Sequence, residues 1–200
     1  MYNSGIAAPD LIEEVENEAD ISIGVPRSVL LRSINSVEQF LYTEVLREYI
    51  TVRMEYTGDS VALSSIPVPN GAAEVEFDDI IRVFADEREA ERSGASGMID
   101  FPEKHLYGTD YNGNLVFSFS EVPSEVVLIV RIRPALKDEG DADLVRVPPE
   151  HLDLVLSKMR GDVYKIANED GLAAKWLADY NAHLENFKVW AASRNARYGG

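Results

Sequence analysis

The chain has 200 residues, 46% of them hydrophobic and 27% charged, with a formal net charge of −16. That length leaves room for one domain with a real core, or two small ones, and the acidic balance excludes a broad basic surface for tracking phosphates. There is no cysteine, which excludes disulfide scaffolds, thiolate zinc sites and cysteine nucleophiles and points to a reducing compartment.

The opening "MYNSGIAAPDLIEEVE" has neither a positive start nor an apolar run, so no signal peptide is visible. No stretch approaches the roughly 20 apolar residues of a membrane span. A soluble chain made inside the cell is expected. Asp10 can cap a short helix, "LIEEVENEA", whose acids crowd its positive end. Pro26 then opens "PRSVLLRSINSVEQFLYTEVLREY". Its Leu30, Ile34, Val37, Leu41 and Val45 recur at three- and four-residue steps, which predicts an amphipathic helix of about five turns.

The period then changes to two. Ile50, Val52 and Met54 alternate with Thr51, Arg53 and Glu55, predicting a half-buried strand over Ile50–Met54. A short apolar run predicts another over Ile80–Phe84. "EREAERSGASG" is charged, then small, and reads as a surface loop. Leu115, Phe117 and Phe119 alternate with polar or smaller residues, and Asn112-Gly113 suits a tight turn with positive φ at its centre. Val126–Ile132 reads as a further strand, and "KDEGDAD" as an acidic loop. From Val147 the sequence reads as two amphipathic helices, split near Asn168–Gly171, and a short tail "SRNARYGG". The order of helices, strands and helices predicts an α+β fold: N-terminal helices, a small antiparallel β region with hairpins, and C-terminal helices packed as a bundle. The expected organisation is residues 1–48, 49–146 and 147–200 within one compact domain.

The search for chemistry yields little. Asp110, Asn112, Asn114 and Glu121 fall at the first, third, fifth and twelfth positions of a calcium loop. The sixth position, where glycine is needed, is Leu115, so a plain turn is preferred. His105, His151 and His183 have no metal-ligand spacing to one another. "ERSGASG" lacks the strand–turn–helix setting of a serine nucleophile. Carboxylate pairs such as Asp78-Asp79 and Asp138-Glu139 read as solvated faces in so acidic a chain. Nothing assembles nucleophile, base and oxyanion donors, so no catalytic residue, metal or cofactor is expected.

Charge is uneven. Residues 1–150 carry 12 Lys and Arg against 29 Asp and Glu, whereas residues 151–200 carry 7 against 6. This is either the mixed surface of ordinary helices or a segment that meets something the acidic body does not. The closing helices hold Tyr164, Trp176, Tyr180, Phe187 and Trp190, which read as core or as an exposed docking face.

The layout resembles a known family. The elements are the helix "LLRSINSVEQFLYTE", the region "VPNGAAEVEFDDIIRVFADE", the stretch "YGTDYNGNLVFSFSEVPSEVVLIVRIRPAL" and the closing "VPPEHLDLVLSKMRGDVYKIANEDGLAAKWLADYNAHLENFK". Together, from about Asp10 to Lys188, they resemble the head-to-tail adaptor (connector) proteins of tailed bacteriophages. The closing-helix pattern of that family falls on His151-Leu152 through Arg160, then on Ala173, Ala174, Lys175 and Tyr180. Where the family has a proline-rich stretch, this chain has "FSEVP" from Phe119 to Pro123. The resemblance implies a structural virion protein at the head–tail interface, made in the host cytoplasm. It implies a self-assembled ring of twelve copies, with the portal protein and a tail nozzle or tail tube protein as partners. Genomic DNA would pass through the channel without specific binding, and no membrane is involved. Portal docking and inter-subunit contact would fall on Trp176, Tyr180, Phe187, Trp190, Arg194, Arg197 and Tyr198. Arg and Tyr are common interface anchors; a frayed terminus is the plain alternative for the last eight residues. Another neck or tail-completion protein, or a hydrolase of unknown type, are the alternative classes.

Overall fold

The computed structural model describes residues 1–18, 24–58, 60–93, 104–138 and 143–198, apart from the side chains of residues 18 and 195–198. The small-residue stretch 94–100 and the middle of the acidic loop, 139–142, lie outside the described residues. The chain is α+β. Among the described residues it has α1 (Ala8–Glu18), α2 (Arg27–Phe40), β1 (Tyr49–Glu55), β2 (Ile80–Ala85), β3 (Arg88–Arg92), β4 (Leu106–Thr109), β5 (Leu115–Ser118), β6 (Glu125–Arg131), α3 (Leu152–Ile166) and α4 (Asp170–Tyr198). Two compact units result, one of residues 1–46 with 134–200 and one of residues 47–133.

The first unit is helical and discontinuous in sequence. Leu11, Leu30, Ile34, Leu41, Tyr42, Leu154, Met159 and Phe187 form its buried centre. The periodicity of the second helix survives to Leu46, but its last turn, Leu41–Leu46, winds as a π-helix. The first helix starts at Ala8, two residues before the expected cap at Asp10. Its start is fixed by backbone and not by a side chain: Ala8 N–H donates to the Asp143 carbonyl at 3.0 Å, and Ala7 bridges to Leu144. Asp10 instead sits in the first turn, where its charge faces the positive helix end. In α3, Gly161 permits close approach to α4, since a Cβ there would lie 2.9 Å from Leu177 Cδ2. Among the described residues the expected tail is helix instead: α4 continues to Tyr198, because nothing in "SRNARY" breaks a helix.

A buried ion pair joins the two halves of this unit. Glu38 on α2 is 1% exposed and Lys137 is 3% exposed. The Lys137 ammonium donates to Glu38 Oε2, and Arg146 N–H donates to Glu38 Oε1 at 2.6 Å. One turn away, the Asn35 amide and the Lys137 backbone exchange two hydrogen bonds of 3.0 Å each. Gln39 Nε2 donates to the Pro134 carbonyl at 2.6 Å. Thus α2 reads the backbone of the returning segment from 134 to 146. Burial pushes the Glu38 carboxyl up, and the Lys137 ammonium opposes that shift.

Among the described residues the second unit is a six-stranded sheet of order β1-β6-β2-β3-β4-β5. All pairs are antiparallel except β3 with β4, which run parallel. The sheet is therefore mixed, not the purely antiparallel region that the sequence suggests. The parallel pair arises from "REAER", part of the stretch read above as loop, which forms β3. Only Ala90 of β3 is buried, so no alternation betrays the strand; its backbone is held by ladders on both sides. Its charges pair outward, Glu89 with Arg82 at 2.6 and 2.7 Å and Glu91 with Lys104 at 2.8 and 3.1 Å. The buried face carries Val52, Val83, Leu115, Val126, Leu128 and Val130. Tyr56, Phe117 and Phe119 pack beside it with ring centroids 5.0–6.1 Å apart.

Three acidic residues do structural work here. Asp79, expected on a solvated face with Asp78, is buried; Arg133 grips it at 2.7–3.0 Å and Glu76 N–H donates to it at 3.0 Å. Asp110 accepts the N–H groups of Asn112 and Asn114 at 2.8 and 2.9 Å. Those bonds, Asn114 first, hold its carboxyl below the usual range. Positive φ in that loop is confined to Gly113, at 78°, so the turn is a longer loop organised by Asp110 and not a two-residue turn. Asp86 accepts from Ser124 Oγ, Ser124 N–H and Glu125 N–H at 2.8–3.1 Å, and sits with Glu87 in the two-residue turn between β2 and β3.

Two stability predictions follow from these contacts. Glu38→Leu strands a buried ammonium and should cost about 3–5 kcal/mol, while Glu38→Leu with Lys137→Met should recover most of the loss; urea midpoints of the two variants make the comparison. Asp86 and Glu87 have φ of 44° and 73°, the left-handed pair that favours Asp-Gly. Glu87→Gly should therefore raise stability by about 0.5–1 kcal/mol, read the same way.

Candidate interface on the C-terminal helices

The seven residues singled out in the closing helices separate by environment. Phe187 is fully buried in the first unit's core. Trp190, one turn further, is half-buried and packs on Phe187 at 5.2 Å, on His151 at 5.0 Å and edge-on to Tyr2 at 5.5 Å. The Arg194 guanidinium lies over the Tyr2 ring at 4.6 Å and the Trp190 ring at 5.8 Å. Thus α4 is fastened to the start of the chain by a layered stack of rings and a cation. Trp176 is half-buried nearer the helix start, with Arg160 at 4.8 Å and Lys175 at 5.3 Å from its ring centre. Tyr180 is half-buried beside the core; burial first, then the Asp162 charge, push its phenol up. Asp162 is itself held by Ser33 Oγ at 2.7 Å and by the Lys158 ammonium at 2.5–2.6 Å. The side chains of Arg197 and Tyr198 lie outside the described residues.

The geometry brings Phe187, Trp190 and Arg194 into one cluster and leaves Trp176 with Tyr180 along an earlier stretch of the helix. It adds residues that sequence reasoning missed. Val189 is 70% exposed and Leu172 is 42% exposed, with Ala178, Ala182 and Ala192 also exposed on α4. Helical phase could have found Val189. Leu184, Phe187 and Ala191 share the buried face at three- and four-residue steps, and Val189 falls outside that series.

The histidines are accounted for individually. His151 stands just before α3, edge-on to Phe187 at 5.0 Å, and its Nε2 is buried without a hydrogen-bond partner. Desolvation holds its pKa below the ordinary value, with Glu150 opposing and His183 adding to the shift. His105 stacks edge-on to Phe119 at 5.5 Å in the other unit. Among the described residues, no three His, Asp or Glu side chains gather as a metal site. No described helix is long and apolar enough to cross a membrane.

The long helix α4 thus carries exposed Leu172 and Val189 beside half-buried Trp176, Tyr180 and Trp190. The SU10 adaptor protein family model matches residues 7–199, and the chain belongs to that family. It is a bacteriophage adaptor protein in the general sense, a virion component whose family role is structural and implies contact with other neck or tail proteins. The comparison with curated proteins gives no match.

The depressed His151 pKa makes a pH prediction. The folded state resists protonating this ring, so its contribution to stability is present above about pH 6.5 and is lost as the pH falls through the lower folded value. His151→Gln should lose less stability than the parent between pH 7.5 and 5.5, with urea midpoints at both pH values as the measurement.

Proposed function

We propose that this chain is one subunit of a head-to-tail adaptor ring of twelve copies beneath the portal. The ring joins the portal to the tail nozzle or tail tube and extends the channel through which DNA leaves. The observation that carries the reading is the family match along nearly the whole chain, residues 7–199. In this reading the sequence segments 1–48, 49–146 and 147–200 take successive roles. The first and last pack as one helical bundle, and the last, from Pro149 to Gly200, docks on the portal and meets neighbouring subunits.

Three observations support that assignment. Residues 151–200 are nearly charge-balanced, with 7 basic against 6 acidic residues, in a chain of net charge −16. Their helix α4 exposes Leu172 and Val189 and half-exposes Trp176 and Trp190. Arg194 is held in place over two rings, so its ordering is prepaid before any partner arrives. Trp176, Tyr180, Trp190, Arg194, Arg197 and Tyr198 are the proposed contact residues. Phe187 serves from within by fixing the tilt of Trp190. An acidic body beside passing DNA would repel phosphates and keep the channel from gripping them.

The test is a chain ending at Ala192. It gives up the Arg194 stack, worth about 0.5–1 kcal/mol, and should fold with a Tm lowered by only about 2–4 °C. Its occupancy on portal-bearing heads should drop severalfold. Unchanged occupancy would remove the docking role from the end of α4.

A further inference from the structure

The first helix carries an acidic stripe that nothing in its own unit neutralises. Ala8, Leu11, Ile12 and Val15 of α1 are buried, and Asp10, Glu13, Glu14 and Asn17 occupy the opposite, exposed face at three- and four-residue steps. Like charges at those steps repel one another and weaken a helix. The positive helix end offsets Asp10, but Glu13 and Glu14 lie beyond the first turn. Among the described residues the side chains of Asp10, Glu13 and Glu14 make no hydrogen bond or ion pair, whereas Arg27 holds the neighbouring Glu16 at 2.8 and 3.1 Å.

The same unit carries the complementary charge on α3 and α4. Gly161 lets the two helices close on Leu177, and the residues just before these, Arg160 and Trp176, form a layer with the guanidinium 4.8 Å from the ring centre. The Lys175 ammonium lies 5.3 Å from the same ring. Lys175 is exposed, and among the described residues it makes no ion pair. Leu172, one turn earlier on this face of α4, is 42% exposed. A half-buried tryptophan and an exposed leucine with cations at their border have the anatomy of an interface centre and its rim. Of the neighbouring acids, Asp162 is neutralised by Lys158, Asp170 sits at the positive start of α4, and Asp179 is half-buried one turn on.

We propose that the acidic stripe of α1 in one copy of this chain seats on the Lys175–Trp176 patch of the next copy. Glu14, the middle of the stripe, meets Lys175, the exposed cation of the patch, and Leu172 and Trp176 are covered by the same helix. The contact joins two different surfaces, so it repeats head to tail and closes into a ring when the rotation per copy permits. Pairing α1 with α1 would instead set carboxylates against carboxylates. The contact rests on the ring reading given above and sharpens it: Trp176 serves the neighbouring subunit, which leaves Trp190 and Arg194 for the portal. Phosphate is the other ligand that suits such cations, but two cations beside one ring, in a chain of net charge −16, make a poor track for a duplex.

The absence of cysteine from the sequence lets single cysteines report the contact. Full-length chains carrying Asn17→Cys are mixed with chains carrying Ala178→Cys, loaded on portal-bearing heads and treated with a short bismaleimide. Both positions are exposed and stand three residues from Glu14 and Lys175. A mixed product joining the two chains is expected, and none when either chain is loaded alone. Lys175→Glu on every chain should cut that product about tenfold, and Lys175→Glu with Glu14→Lys should restore most of it; urea midpoints report that both variants fold. Heads that load the chains without the mixed product overturn the contact and leave the ring reading standing. A product unchanged by Lys175→Glu, or a Glu14→Lys change that fails to restore it, also overturns the contact. A parent chain that does not load removes the ring reading and the contact with it. Binding of duplex DNA by the parent chain, lost in Lys175→Glu, would assign the patch to phosphate and overturn the proposal as well.

Discussion

The ion pair between Glu38 and Lys137 is the constraint on which the first unit turns. This unit is made from two stretches of chain separated by 87 residues, 47–133, and something must make the second stretch return to one place. Apolar contact is non-directional and would tolerate sliding. A carboxylate at 1% exposure does not. It must find both the Lys137 ammonium and the Arg146 N–H, and Asn35 and Gln39 add backbone-reading bonds on the same helix face. A polar cluster of this kind adds little net stability compared with apolar residues of equal volume. Its value is register. Once the segment from Pro134 is fixed, Val145 and Val147 enter the core, the first turn of α1 finds its acceptor at Asp143, and α3 follows.

The second unit solves a similar problem at its own boundary. Arg133, the last residue before the chain re-enters the first unit, holds the buried Asp79 with two nitrogen atoms. Arg131 also approaches Asp79, at 3.8 Å. The start of β2 and the end of β6 are thus pinned together where the chain leaves the sheet. The buried acids Glu38 and Asp79 join segments far apart in sequence, whereas Asp86 and Asp110 organise turns nearer the surface. Exposed single ion pairs, such as Arg53 with Glu125, contribute little.

For the contact surface proposed above, the consequence lies in how rigidly α4 is held. Among the described residues the end of α4 is helix as far as Tyr198. Arg194 is already stacked on Tyr2 and Trp190, and Trp190 is fixed by Phe187 and His151. A surface ordered beforehand loses less entropy when it binds. The exposed apolar residues on α4, Val189 above all, are unexplained by the first unit's own packing, which is the physical reason to regard that helix as a contact element.

The sequence by itself determined the elements whose pattern is carried by apolar side chains. The period of 3.6 marked α2 and α3, the alternation around Val52 and Leu115 marked β1 and β5, and the order of helices, strands and helices gave the α+β class. The resemblance carried by those same stretches gave the family. Tertiary structure decided whatever depends on polar atoms meeting across long separations. β3 has one buried side chain and exists because β2 and β4 flank it, so no local pattern could announce it. The parallel sense of β3 with β4 has the same origin. Asp79 and Glu38 look like any other acids of a strongly acidic chain until Arg133 and Lys137, 54 and 99 residues away, neutralise them. The candidate interface divided likewise. Aromatic identity made Trp176 and Trp190 visible in sequence, but only packing showed that Phe187 faces inward and Val189 outward, because the face a helix buries is set by what it packs against.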